Sequence, residues 1–121
     1  MPTRQQLLRE RTLEFALRIL RLYRSLPFAV DAQVLGKQLV RSGTSVGANY
    51  RAACRARSKK EFSAKIGIVV EEADETVYWL ELLMQSGLVK PDRLSELLKE
   101  ARELTALFTA AFATAHSRKY F

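Results

Sequence analysis

The sequence predicts an all-α protein: four antiparallel helices packed up-down-up-down into a single bundle domain spanning residues 1–121. Three observations lead there. Apolar residues recur every three or four positions through four long segments, the period of one helix face. The breaks between those segments are short and carry residues that stop or start helices. Only five Gly and three Pro occur among 121 residues, too few for a loop-rich or all-β fold, while 48% of the chain is hydrophobic, enough for a core.

The first helix is expected from about Gln5 to Ser25, with Leu8, Phe15, Ile19, Leu22 and Leu26 on one face and Leu13, Leu17 and Leu20 widening it. Pro27 ends it, because the residue before a proline is pushed out of helical geometry. The second helix is expected to start with Asp31 as N-cap and to reach about Arg55. Leu35, Leu39, Ser42, Val46, Asn49 and Ala53 form its predicted core face. Gly36, Gly43 and Gly47 lie within it, each costing about 1 kcal/mol against alanine. Such a run points to close approach of another backbone; a kink is the alternative.

Ser58-Lys59-Lys60-Glu61 has the form of a capping box and opens the third helix. Its core stripe is Phe62, Ile66, Val69, Val70, Ala73, Val77, Leu80 and Met84, and Gly87 is placed to close it in a left-handed conformation. The fourth helix begins near Pro91, a residue suited to the first helical position. Its face runs through Leu94, Leu97, Leu98, Ala101, Leu104, Phe108, Ala111, Phe112 and Ala115. Four long helices joined by short connections pack as an up-down bundle.

Several function classes are disfavoured. A lone cysteine, Cys54, forms no internal disulfide and suggests a reducing compartment. No secretory signal is visible behind Met1, and no stretch approaches the roughly 18 apolar residues of a membrane span, so a cytoplasmic protein without a membrane partner is expected. The one histidine, His116, has no evident acid or nucleophile beside it, and Glu71-Glu72 and Asp74-Glu75 lack the histidines of a Glu-x-x-His metal site. Cys54 has cations nearby but no evident base. The expectation is no enzyme, no metal and no cofactor.

Charge is unevenly distributed. The net charge is +7, yet residues 1–60 carry 13 Lys/Arg against 3 Asp/Glu, whereas residues 61–90 carry 2 against 6. At 100° per residue, Lys37, Arg41, Arg51 and Arg55 fall in one arc opposite the second helix's core face, and Arg57, Lys59 and Lys60 extend that arc through the following turn, with Tyr50 at its flank. Arginine's planar guanidinium donates two hydrogen bonds at once to phosphate oxygens, so the arc is a candidate nucleic-acid surface. A solvated basic face is the alternative. On the third helix, Ile68, Trp79, Leu82 and Leu83 sit away from the core stripe among Glu61, Glu72 and Glu75. Ile68, Glu72, Glu75, Trp79 and Leu82 are therefore candidate oligomer-interface residues; alternatively the bundle buries both sides of this helix. Asn49, at the edge of the core face, reads as a structural amide partnered by Glu72 or Glu75.

The segment Arg41-Ser42-Gly43-Thr44-Ser45-Val46-Gly47-Ala48-Asn49 resembles a family's R-S-x-x-S-[VI]-x-x-N helix, Arg57-Ser58-Lys59-Lys60-Glu61-Phe62 its R-S-x-x-E-F turn, and Ile66 to Thr76 its third-helix pattern. The family is the four-helix-bundle proteins named after open reading frames in 23S ribosomal RNA intervening sequences, and the resemblance covers about residues 8–115. It implies an up-down four-helix bundle that often assembles as a ring-like homopentamer. The accessory variability determinant of diversity-generating retroelements is similar in fold, with a basic surface, and works with nucleic acid and a reverse transcriptase.

Two functions follow. One is a non-catalytic homo-oligomeric scaffold, pentameric by resemblance, that binds RNA or DNA through phosphates, with a partner protein such as a reverse transcriptase. The other is a protein–protein interaction module or accessory subunit that binds no nucleic acid.

Overall fold

The computed structural model describes residues 1–117, and the basic, aromatic tail at 118–121 lies outside the described residues. Among the described residues the chain forms four helices: α1 Arg4–Arg24, α2 Val30–Cys54, α3 Lys59–Gln85 and α4 Pro91–Ser117. Short turns make sequence neighbours antiparallel, and α2 packs along α1 and α3, and α3 along α4. The α1–α4 seam is much shorter. Phe15, Ile19, Leu39, Val46, Ile66, Leu80, Leu94, Leu104 and Phe108 are fully buried and form one core. Among the described residues no helix is long and apolar enough to cross a membrane.

The helix ends follow local chemistry. Thr3 caps α1 reciprocally: its hydroxyl accepts from the Gln6 N–H at 3.1 Å while the Gln6 side chain accepts from the Thr3 N–H at 2.7 Å. Ser58 caps α3 by accepting from the Glu61 N–H at 3.0 Å. Gly87 takes φ +78°, the left-handed geometry expected past a helix C-terminus, and Pro91 opens α4. Asp31 is not the cap of α2. Ala29 holds that position without a side-chain bond, and its carbonyl accepts from the Gln33 N–H at 3.0 Å. Asp31 sits in the first turn instead, where a carboxylate favours the positive helix end.

The glycines of α2 face α1. A Cβ on Gly36 would lie 2.6 Å from Leu26 Cδ1 and 2.7 Å from the Tyr23 ring, one on Gly43 2.9 Å from Ile19 Cγ1, and one on Gly47 3.2 Å from Thr12 Oγ1. Close helix approach, not a kink, explains the run. It also turns α2 relative to the expected register: Gly36, Gly43, Gly47 and Tyr50 are buried, whereas Leu35 and Asn49 are only half-buried. On α1, the narrow contact with α2 leaves Leu13 47% and Leu17 40% exposed, so they do not widen the core face.

Buried hydroxyls are matched, whereas the Trp79 indole nitrogen is buried without a hydrogen-bond partner. The Thr12 hydroxyl donates to the Leu8 carbonyl at 2.8 Å, and Ser42 and Thr76 join α2 to α3 through hydroxyls 2.9 Å apart. Across the short seam, Arg11 of α1 grips Glu100 of α4 with Nε–Oε2 at 2.8 Å and Nη2–Oε1 at 2.6 Å. Arg11's hydrogen bond, opposed by partial burial, holds the Glu100 carboxyl below its ordinary 4.5.

Two outcomes are expected. Gly43→Ala should lower the unfolding free energy by about 1–2 kcal/mol in denaturant titration, because the overpacking cost against fully buried Ile19 exceeds the helix-propensity gain. Glu100→Gln should cost about 1–2 kcal/mol at neutral pH, between the values for exposed and buried pairs. Because the folded-state pKa of Glu100 is depressed, its contribution is present above pH 4.5 and lost as pH falls. Thermal melts across acid pH should therefore converge for wild type and Glu100→Gln.

Candidate nucleic-acid interface

Lys37, Arg41, Arg51 and Arg55 are all exposed on the outer side of α2, as their spacing requires, but their surroundings differ. Arg41 is occupied. Its Nη1 donates to Glu72 Oε2 at 3.1 Å, its Nη2 to Glu75, and its Nε to Gln38 Oε1 at 3.1 Å. The hydrogen bond to Glu75, ahead of the other contributions, raises the Arg41 pKa further, so the guanidinium is locked as a cation already matched by two carboxylates. Sequence spacing along one helix shows no acid among these cations, because the acids come from α3 across the seam. Lys37 lies about four turns of helix from Arg51, on the far side of Arg41.

The remaining cations gather at one end of the bundle. Antiparallel packing brings the start of α1 beside the end of α2 and the start of α3. Arg9 of α1 and Arg51 and Arg55 of α2 line one shallow concavity together with Gln6, Glu10 and Leu13. Arg4 lies at the same end, since Arg4 and Arg9 both act electrostatically on Tyr50. Arg57, Lys59 and Lys60, all exposed, complete the pole in the α2–α3 turn. Two helix N-termini point this way, but so do two C-termini, so the helix dipoles largely cancel and the side chains set the potential. Arg4 and Arg9 are site residues that the reading of single helices missed. The signal was present in the up-down topology, which pairs the first turns of α1 with the last turns of α2.

Tyr50 does not flank the surface as expected. It is buried, its ring 5.2 Å from that of Phe108, and burial, then the neighbouring Cys54 thiol, push its hydroxyl pKa up. Asn49 finds its partners on its own helix: Nδ2 donates to the Ser45 carbonyl at 2.9 Å and to Ser45 Oγ at 2.8 Å. Glu72 and Glu75, expected to serve Asn49, are committed to Arg41.

Of the apolar residues assigned to the outside of α3, Ile68 is exposed, Trp79 and Leu82 are half-buried, and Leu83 is fully buried in the core. Leu83 misses the outer face because helix α3 is wedged between α2 and α4, which widens its buried arc. Tyr78 joins this face, its ring edge-on to Trp79 at 5.0 Å. Larger apolar exposure lies elsewhere: Leu13 and Leu17 on α1, and Phe28, Val30 and Val34 at the α1–α2 corner, with Phe28 97% exposed. Beside Leu13, Ala16, Thr44, Ala48 and Arg51 line an open groove of about 500 Å³ between α1 and α2.

Comparison with known proteins places the chain. Residues 4–110 match the family model described as 23S rRNA-intervening sequence protein. The chain belongs to that family. A crystal structure of a protein of unknown function, from the S23 ribosomal protein family of Bacteroides thetaiotaomicron, is 36% identical, covers 92% of this chain and 99% of its own, and superposes with a TM-score of 0.80. No match was found among curated proteins. The matched residues include Gly36, Gly43 and Gly47 of the α1–α2 contact.

Proposed function

We propose that this family member is a non-catalytic, self-associating scaffold that binds nucleic acid through phosphate contacts at the basic pole of the bundle. The observation that carries the reading is the convergence of Arg9, Arg51 and Arg55 in one concavity, with Arg4 and the Arg57–Lys60 turn beside it and Glu10 as the only acid on its wall. Cations so placed repel one another in the isolated chain, and a polyanion relieves that repulsion while releasing its own counterions. The family's name, which ties it to an intervening sequence of 23S rRNA, fits an RNA partner.

Self-association is supported by the exposed leucines of α1 beside the α1–α2 groove, with the acidic outer face of α3, residues Glu71 and Asp74 around Ile68 and Tyr78, offering complementary charge. A heterologous pairing of two such different faces closes into a ring when the rotation permits, in keeping with the pentamer expected by resemblance. Ring formation would multiply the basic pole and so the avidity. The same exposed apolar residues favour the second reading, a protein–protein module whose partner covers them, as an accessory subunit of a reverse transcriptase would require.

Salt dependence separates the two. Arg51→Gln combined with Arg55→Gln should make the slope of log affinity against log salt shallower by roughly one to two units for labelled RNA or DNA, whereas Arg41→Gln, already neutralised by Glu72 and Glu75, should leave it nearly unchanged. Wild-type protein that shows no salt-dependent binding to either polymer would hand the function to the protein-interaction reading. For assembly, light scattering should give a mass several times 13.8 kDa, and Leu13→Glu should reduce it toward the monomer. A wild-type mass equal to the monomer's would refute self-association.

A further inference from the structure

The short α1–α4 seam leaves a cleft at the basic pole. Where α1 begins and α4 ends, Leu8, Phe62, Ile66, Phe108 and Ala111 wall an apolar space of about 410 Å³. That volume lies within the range of small-molecule sites. Phe62, Leu107 and Ala111 are only half-buried, so part of the wall faces the opening. Gln5 and Thr114, both exposed, put an amide and a hydroxyl at the rim, and Arg4 brings a guanidinium there.

Building on the phosphate-binding reading above, we infer that this cleft takes an unstacked nucleobase of a single-stranded nucleic acid whose phosphates lie on the neighbouring arginines. Three features select that occupant. The walls are apolar and include the half-buried ring of Phe62, which suits the face of any base. The rim carries donors and acceptors at Gln5 and Thr114, and a base edge needs both. The surroundings carry the charge of Arg4 at the mouth and of Arg9, Arg51 and Arg55 in the adjoining concavity, complementary to the backbone on either side of an inserted base. A base in a duplex is stacked and paired, and reaching this cleft would require extruding it. Single strands meet no such barrier. The basic pole is therefore a single-strand surface rather than a duplex one, and the inserted base adds affinity without strong sequence preference.

The experiment compares two labelled single strands of about ten nucleotides, one bearing bases and one abasic throughout, by fluorescence anisotropy at fixed salt. Wild-type protein should bind the base-bearing strand about tenfold more tightly. Ala110→Phe, which adds a ring to the cleft from an exposed position of α4, should abolish that preference while leaving the abasic affinity and its salt slope as in wild type. Ala115→Phe, on the same cleft further along α4, should do the same, so the result does not hang on one variant folding well. Equal wild-type affinity for both strands overturns the base pocket and leaves the phosphate reading standing. Binding of neither strand overturns both. If the two Phe variants keep the base preference but lower the oligomer mass, the cleft is a contact between copies and the inference is wrong.

Discussion

The distance between α1 and α2 is set where α2 has no side chains. Gly36, Gly43 and Gly47 recur at spacings of seven and four, so they lie along one line of the helix, and each would drive a Cβ into Tyr23, Ile19 or Thr12. The cost of three glycines in a helix is about 3 kcal/mol of propensity. Close packing of α1 against that line, with fully buried Ile19 and buried Thr12 seated in it, offsets the loss. The orientation of α2 follows from this contact. With the glycine line turned to α1 and Ser42 turned to Thr76 of α3, the arc left for solvent is the one that carries Lys37, Arg41, Thr44, Ala48, Arg51 and Arg55. A wider α1–α2 spacing would move Arg9 of α1 away from Arg51 and Arg55.

Charge then separates along α2 according to what the neighbouring helices offer. Arg41, near the middle, faces Glu72 and Glu75 of α3 and is matched. Arg51 and Arg55, near the end, face Arg9 of α1, with Glu10 nearby. Three arginines of one helix face, about four turns apart at most, thus have opposite roles: Arg41 fastens α2 to α3, while Arg51 and Arg55 build a positive potential that the fold itself does not neutralise. Exposed pairs contribute little to stability, so the Arg41 cluster matters mainly because it matches one cation of α2 against two carboxylates of α3.

Much of the bundle was legible because its signals are local. Helical periodicity, Ser58 as a cap, Gly87 as a left-handed stop and Pro91 as a start each depend on a few residues of sequence and reappear in the structure. The glycines were legible too, as a demand for close packing. What sequence could not supply was the rotation of each helix about its axis. An apolar stripe tells which face is buried only to within a residue or so on either side, and that margin moved Leu83 and Tyr50 inward and Leu13 and Leu17 outward. Partnerships across seams were equally hidden: Arg41 with Glu72 and Glu75 is a pairing of residues more than 30 positions apart, and Asn49 turned to Ser45 although a longer-range carboxylate was the natural guess. The basic site was half legible, since the α2 cations were found but Arg4 and Arg9 entered only through topology.

The position of the basic pole also links the two halves of the proposed function. Leu13 lines the same concavity as Arg9, Arg51 and Arg55, so the apolar residues proposed for self-association border the cations proposed for phosphate binding. Burying Leu13 against another copy would draw water away from those arginines, and a cation in a less polar setting interacts more strongly with whatever charge reaches it. Acidic groups on the incoming α3 face could satisfy some of them; the rest would crowd against cations of the neighbouring copy. A polyanion laid across that junction would lower the repulsion on both sides of it. On this reading binding and assembly are coupled through a shared rim, and by linkage the coupling is reciprocal: whatever strengthens the ring raises phosphate affinity, and nucleic acid in turn favours the ring.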